Sequence, residues 1–195
     1  MFTFIPHNFS ISYDIYAITQ MIGGTMIPVT IETLVVNPSN AASLIMLRPF
    51  GEHKSSGRVL PIWIGPHEAM SIGMAIEGIK RDRPLTHDLI DMMMEALSLE
   101  IDHISITRVE ESTFYADIHF VNDGEEFIID ARPSDSIALA IRRNAPIFVN
   151  EDVMDIASFP YILGKNKHKE EEEIKNFHEF IESVNPEDFS NPTEE

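Results

Sequence analysis

The stretch from Ile128 to Arg143, IIDARPSDSIALAIRR, decides how this chain is read. The apolar run Phe127 to Ile129 ends in Asp130, Arg132-Pro133 turns the chain, and Ser134-Asp135 opens a helix. Ser134 is the expected N-cap, because its hydroxyl can accept from an unpaired backbone N–H. Asp135 puts negative charge in the first turn, where the helix dipole favours it. Ile137 and Ile141, four apart, give the helix an apolar face. Arg142 and Arg143 bring positive charge to its other end. The design is echoed upstream, where Arg83-Pro84-Leu85-Thr86-His87-Asp88 leads into LIDMMMEAL. Two Arg-Pro turns thus lead into two helices that begin with an acid, and the rest of the chain is expected to bring those starts together.

Working outward, Val29 to Val36 alternates and is β-branched, which predicts a strand. Asn37-Pro38-Ser39-Asn40 has turn composition. Leu44–Leu47 and Val59–Ile64 are further strands around the polar loop 51–57, and two successive hairpins argue for antiparallel pairing. Gly65-Pro66 starts a helix with Pro66 near its first position. Lys80 to Pro84 is a charged link into the Thr86 helix, which is expected to bury Leu89, Met92, Met93 and Leu97. Ile101 to Val109 is a strand with Ile104, Ile106 and Val109 out of strict phase. Phe114–Val121 and Glu126–Asp130 flank Asp123-Gly124, a hairpin signal. Pro146 places the strand 145–149 at a sheet edge or a strand start, and Glu151 to Ala157 is a short helix. Ile174, Phe177, Phe180, Ile181 and Val184 form one face of an amphipathic helix near the C-terminus. The order is strands, two helices, strands, one helix, strand. That is an α+β domain, a mainly antiparallel sheet with helices packed on it, plus a C-terminal amphipathic helix, not alternating βαβ. The domain is expected over 26–160. Residues 1–25 read as an extension or an ordered arm, and 161–195 as an acidic helical tail.

Composition narrows the function. The chain has 195 residues, 44% of them hydrophobic, enough for one domain with a core. With no cysteine, disulfides, thiolate metal sites and a catalytic thiol are excluded. That fits a reducing compartment and sets a cytoplasmic expectation. No apolar run approaches the roughly 18–20 residues of a membrane helix, and no basic region precedes the apolar N-terminus as in a secretory signal. The net charge of −18 disfavours broad contact with nucleic-acid phosphates. A small basic site, or a cation bridging carboxylates to phosphate, remains compatible with it.

Three helices begin with an acid: Glu68, Asp88 and Asp135. Dipole complementarity explains such acids at about 0.3–1 kcal/mol each. The alternative is that the three carboxylates, with His87 beside them, hold a divalent cation such as Mg²⁺ or Mn²⁺. His87 and Asp91, four apart, share a helix face and are a weaker chelating pair. Arg83 and Arg132 suit bidentate grip of phosphate, against a structural role in ion pairs with Asp88, Asp130 or Asp135. The remaining histidines are scattered, and no Ser–His–Asp set is legible, because any serine could be chosen.

Residues 60–97 and 128–154 resemble the bifunctional nuclease family. The motifs IG-x-x-EA, RP-x-THDL and D-x-RPSD-x-IALA-x-R occur in that order, and the resemblance covers roughly Val29 to Ala157. It implies an α+β domain that associates as a homodimer and hydrolyses both RNA and DNA. Its motif residues fall on Glu68, Arg83, Thr86, His87, Asp88, Asp130, Arg132, Ser134 and Asp135. The expected mechanism is metal-assisted phosphodiester hydrolysis: Glu68, Asp88 and Asp135 hold the cation, His87 moves a proton, and Arg83 and Arg132 grip phosphate. The rival is a non-catalytic dimeric binding or regulatory domain.

Overall fold

The computed structural model describes residues 3–6, 25–36, 43–51 and 57–160. Nine strands and four helices occur among them. The strands are β1 (Thr3–Pro6), β2 (Met26–Val36), β3 (Ser43–Pro49), β4 (Arg58–Ile64), β5 (Glu100–Glu110), β6 (Thr113–Asn122), β7 (Glu125–Ala131), β8 (Ile147–Asn150) and β9 (Phe159–Pro160). The helices are α1 (Pro66–Ile76), α2 (Thr86–Ala96), α3 (Pro133–Arg143) and α4 (Glu151–Ala157). The sheet runs β7-β6-β5-β8-β2-β3-β4-β9, with β1 also paired to β2. Every pairing is antiparallel except β5 with β8. This is the expected α+β domain. The C-terminal amphipathic helix and most of the N-terminal extension lie outside the described residues, although Thr3–Pro6 pairs with Thr33–Val36.

Two sequence features set the pleat. β2 slips register against β3 between Ile31 and Thr33, so Ile31 and Leu34, three apart, both enter the core. β5 slips twice against β6, between Ile101 and His103 and between Ile106 and Arg108. Those bulges bring Ile101, Ile104 and Ile106 into one core and explain the broken alternation. The turns follow composition less closely. Asp123 and Gly124 both take positive φ, as a type I′ hairpin requires. Glu111 and Ser112 take the same conformation without a glycine. Pro146 stands just ahead of β8, a strand start, and β8 lies at the middle of the sheet.

Helices α1 and α3 pack on the sheet through Ala69, Ile72, Ile137, Ala140 and Ile141. Helix α2 packs on α3. It turns His87 and Met94 inward, while Leu89, Met92, Met93 and Leu97 are 51% to 61% exposed. The expectation that those four are buried is therefore corrected. Residues 87, 90 and 94 form one helical stripe, and the apolar set at 89, 92 and 93 lies on the other side. A second correction concerns α3. Its N-cap is Arg132 with Pro133 at the first position, so Ser134 lies inside the helix and does not cap it. Asn144, with φ of 52°, closes the helix in the left-handed conformation.

Candidate active site

The three N-terminal acids occupy the same position in their helices, the third residue after the N-caps Gly65, Leu85 and Arg132. Their carboxylates nevertheless take different partners. Glu68 folds back over Gly65, where an added Cβ would stand 2.2 Å from its Oε2 and would push the carboxylate out of this position. Asp88 Oδ2 accepts the Leu85 N–H at 2.9 Å, satisfying a donor that the helix leaves open. Asp135 leans onto Arg132, whose Nε donates to Oδ2 at 2.7 Å and whose Nη2 donates to Oδ1 at 3.0 Å. The same Nη2 also donates to Glu68 Oε1 at 2.9 Å. Glu68 and Asp135 thus sit on either side of one guanidinium nitrogen.

Behind them lies a chain of hydrogen bonds that the sequence did not show. His87, buried, places Nε2 3.0 Å from Asp135 Oδ1 and Nδ1 2.9 Å from Ser71 Oγ. Arg142 Nη2 donates to Ser71 Oγ at 3.1 Å. An arginine only donates and an ionised aspartate only accepts. With a neutral imidazole the chain therefore runs one way. Arg142 donates to Ser71, the Ser71 hydroxyl donates to His87 Nδ1, and His87 Nε2–H donates to Asp135. Ser71, His87 and Asp135 form the Ser–His–Asp set that the sequence left open. Ser71 is only 4% exposed and covered by Arg142, so it orients the imidazole and is not placed to attack a substrate.

Arg142 is the hub of the buried side. Besides Ser71 it donates from Nε to Asp88 Oδ1 at 2.9 Å and from Nη1 to the Ala138 carbonyl at 2.8 Å. It therefore ties α1, α2 and α3 together. Arg143 pairs with Asp91 in a second rung, so that carboxylate is already engaged by a guanidinium, while His87 turns to Ser71 and Asp135. Ser71 shares a helix face with Glu68, three residues earlier. That spacing was legible, as were the two basic residues ending α3, but their partners were not.

The structure brings Glu68, His87, Arg132 and Asp135 together. It holds Asp88 apart on Arg142 and leaves Arg83 exposed, with no ion pair among the described residues. Among the described residues no three His, Asp or Glu side chains are grouped to hold a metal ion. Each of the three expected ligands already faces a guanidinium. A three-carboxylate Mg²⁺ or Mn²⁺ centre does not fit this arrangement.

Electrostatics favour charged carboxylates here. Burial works against the Asp135 anion, but Arg132 and His87 outweigh it and hold the group below its ordinary value of 3.8. The Leu85 N–H does the same for Asp88, helped by Arg142 and opposed by burial. Elsewhere His103 and His119 stack across β5 and β6 with ring centroids 3.8 Å apart. Burial, then the neighbouring His103, lowers His119 below 6.5, while Asp117, Asp102 and Glu126 oppose the shift. Its Nε2 meets Ser105 Oγ at 3.0 Å.

The signs give a two-stage acid response. All three groups have folded values below their unfolded ones, so each contributes stability above the unfolded value and loses it as pH falls through the folded one. The melting temperature is expected to drop first below pH 6.5, through His119, and again below 3.8, through Asp88 and Asp135. Thermal melts against pH check this. His119→Gln should erase the first step and leave the second.

A mainly antiparallel α+β domain with an acid–imidazole–guanidinium cluster at its helix starts is the class that fold and site define. Comparison with known proteins gives it a family. The model of the bifunctional nuclease domain matches residues 50–161, and the chain belongs to that family. The matched span contains every residue of the cluster and leaves β2 and β3 outside. A protein of Mycobacterium tuberculosis, named only as uncharacterized, is 37% identical over 161 residues, covering 80% of this chain and 92% of its own. Bifunctional nuclease 1 of Oryza sativa subsp. japonica is 26% identical over 101 residues, 50% of this chain and 30% of the rice protein. Bifunctional nuclease 2 of Arabidopsis thaliana is 24% identical over 99 residues, 49% of this chain and 30% of its own. Among the described residues no helix is long and apolar enough to cross a membrane.

Proposed function

We propose that the chain hydrolyses phosphodiester bonds of RNA and DNA at the cluster around Asp135. The observation that carries this is the continuous chain Ser71–His87–Asp135–Arg132, with a buried inner end and Arg132, 66% exposed, at its outer end. Arg132 presents a guanidinium where a phosphate can meet it in a forked, charge-assisted grip. Asp135, ionised and reachable from solvent, accepts a hydrogen bond from a water. As that water's oxygen adds to phosphorus, its proton passes to the carboxylate, and the leaving oxygen is protonated from solvent. His87 fixes the carboxylate's orientation and shares the proton's charge, with Ser71 holding the imidazole. Asp88 is a positioning residue acting through Arg142, and Arg83 supplies a further phosphate contact. Glu68 steadies Arg132. The names of the rice and Arabidopsis relatives support this reaction class.

These steps use the chain's own side chains. Assays on single-stranded RNA and DNA with Mg²⁺, with Mn²⁺ and with EDTA test whether a cation joins at Glu68 and Asp135. Wild-type protein that cleaves neither substrate under any of these conditions would leave the non-catalytic binding domain as the reading to pursue.

The chain also associates as a homodimer in this reading. Helix α2 supports it, since Leu89, Met92 and Met93 make an outward apolar stripe on a well-formed helix, and such surface is usually covered in use. Met92→Glu with Met93→Glu is expected to halve the mass seen by light scattering. The melting temperature should stay within a few degrees of that of isolated wild-type subunits. An unchanged mass would move the interface elsewhere.

A further inference from the structure

Among its described residues the acidic chain keeps three cations in reserve, in one place. Among the described residues Arg48, Arg58, Arg108, Arg132, Arg142 and Arg143 each pair with a carboxylate. The remaining described basic side chains are Lys80, Arg81 and Arg83. All three are exposed, and none makes an ion pair with a described residue. In a protein of net charge −18, carboxylates are abundant partners, yet these cations face solvent. They lie on the link between α1 and α2, and its ends are fixed. Ile79 N–H donates to Met74 O at 2.9 Å at one end, and Leu85 N–H to the Asp88 carboxylate at 2.9 Å at the other. The second anchor is one residue from the helix turn that carries His87.

We infer that Lys80, Arg81 and Arg83 form a docking strip for the phosphate backbone of a single nucleic-acid strand, leading it to the Arg132–Asp135 cluster. The inference deepens the nuclease reading and rests on it for the destination of the strand. Three residues span at most about 10 Å of extended chain, so the strip is narrow and meets two or three phosphates of one strand. A duplex carries a charge about every 1.7 Å of its axis on two strands, and three cations interrupted by Asp82, in a protein of net charge −18, offer its second strand little. Contacts to phosphate also bring no sequence readout, which suits an enzyme acting on both RNA and DNA.

The test measures binding of a fluorescent single-stranded oligonucleotide, and of the matching duplex, across salt concentrations. It uses the full chain carrying Asp135→Asn to slow turnover, with and without Lys80→Gln, Arg81→Gln and Arg83→Gln together. Three phosphate contacts on a single strand give a log–log salt slope of about −2, a roughly 15-fold loss of affinity between 50 and 200 mM salt. The triple substitution should remove that share of the slope and leave the melting temperature unchanged. In the otherwise wild-type chain it should raise KM far more than it lowers kcat. Equal slopes with and without the three cations overturn the strip while leaving cleavage by the wild type, and so the nuclease reading, standing. Tighter binding of duplex than of single strand overturns it too, as does a link that binds polyglutamate and no oligonucleotide. Strand binding through the link with no cleavage in the wild type would keep the strip and remove the nuclease.

Discussion

Asp135→Asn is expected to lower the rate of phosphodiester cleavage by about 10²–10⁴, the usual contribution of a positioned proton acceptor. The amide keeps the shape of the carboxylate and can still accept from one neighbour. It cannot take a proton from water, and it turns an N–H donor toward either Arg132 or His87, both donors themselves. Folding suffers less. Asp135 stands at the start of α3, where its dipole contribution is about 0.3–1 kcal/mol, and Arg132 is mostly solvated, so that ion pair adds little. A loss of roughly 1–2 kcal/mol, or a few degrees of melting temperature, is the expectation for a chain of this size. Parallel rate assays and melts separate the two effects. If the rate falls only in proportion to the unfolded fraction, Asp135 serves the helix and not the chemistry.

Arg142→Ala should do the reverse and damage the fold most. Its side chain is only 9% exposed and reaches Asp88, Ser71 and the Ala138 carbonyl, so its loss unties three helices in one step. Removing one partner of a buried pair costs about 3–5 kcal/mol. Asp88 is partly solvated, which reduces that to roughly 2–4 kcal/mol. At about 2–4 °C per kcal/mol, the melting temperature should fall by roughly 5–15 °C. Arg142→Lys should recover little, because a lysine ammonium cannot reach three acceptors in one plane. A lysine variant that melts with the wild type would show that charge alone matters at this position. Activity in both variants should fall as well, through the loosened Ser71 hydroxyl that holds His87.

How much of this was legible in the sequence depends on what each residue needs to know. Alternation, Asp-Gly and the Arg-Pro turns are local signals, and they located strands β2 to β8, the β6–β7 hairpin and the helix starts, while the short β1 and β9 went unread. The misreading of α2 shows the limit. Its apolar positions at 89, 92, 93 and 97 have good helical spacing, and spacing tells which residues share a side, not which side meets the protein. That was decided by His87, a polar residue buried because Ser71 and Asp135 satisfy both ring nitrogens. The site followed the same rule. Glu68, Asp135, Arg132 and His87 were named as candidates, because charged residues at helix starts stand out along the chain. Ser71 and Arg142 were missed. A serine within α1 looks like any other, and an arginine ending α3 is already accounted for by the dipole. Only the packing of α1, α2 and α3 gives them partners 16, 54 and 71 residues away.

The place of β8 in the sheet bears on how the chain reaches this state. Strands β2, β3 and β4 pair with their neighbours in sequence, as do β5, β6 and β7, so each set of three can assemble from short-range encounters. Among the described residues the two sets meet across four residues, Ile147 to Asn150, which pair with β5 on one side and β2 on the other. Those partners lie about forty and about a hundred and twenty residues away along the chain, so the seam carries a high loop-closure cost and is expected to form late. Helix α1 lies on β2 and β3 and helix α3 on β5 and β6, so until the seam closes Glu68 and Ser71 belong to one half and Arg132, Asp135 and Arg142 to the other. The cluster on which the proposed reaction rests is therefore complete only once β8 joins the two halves.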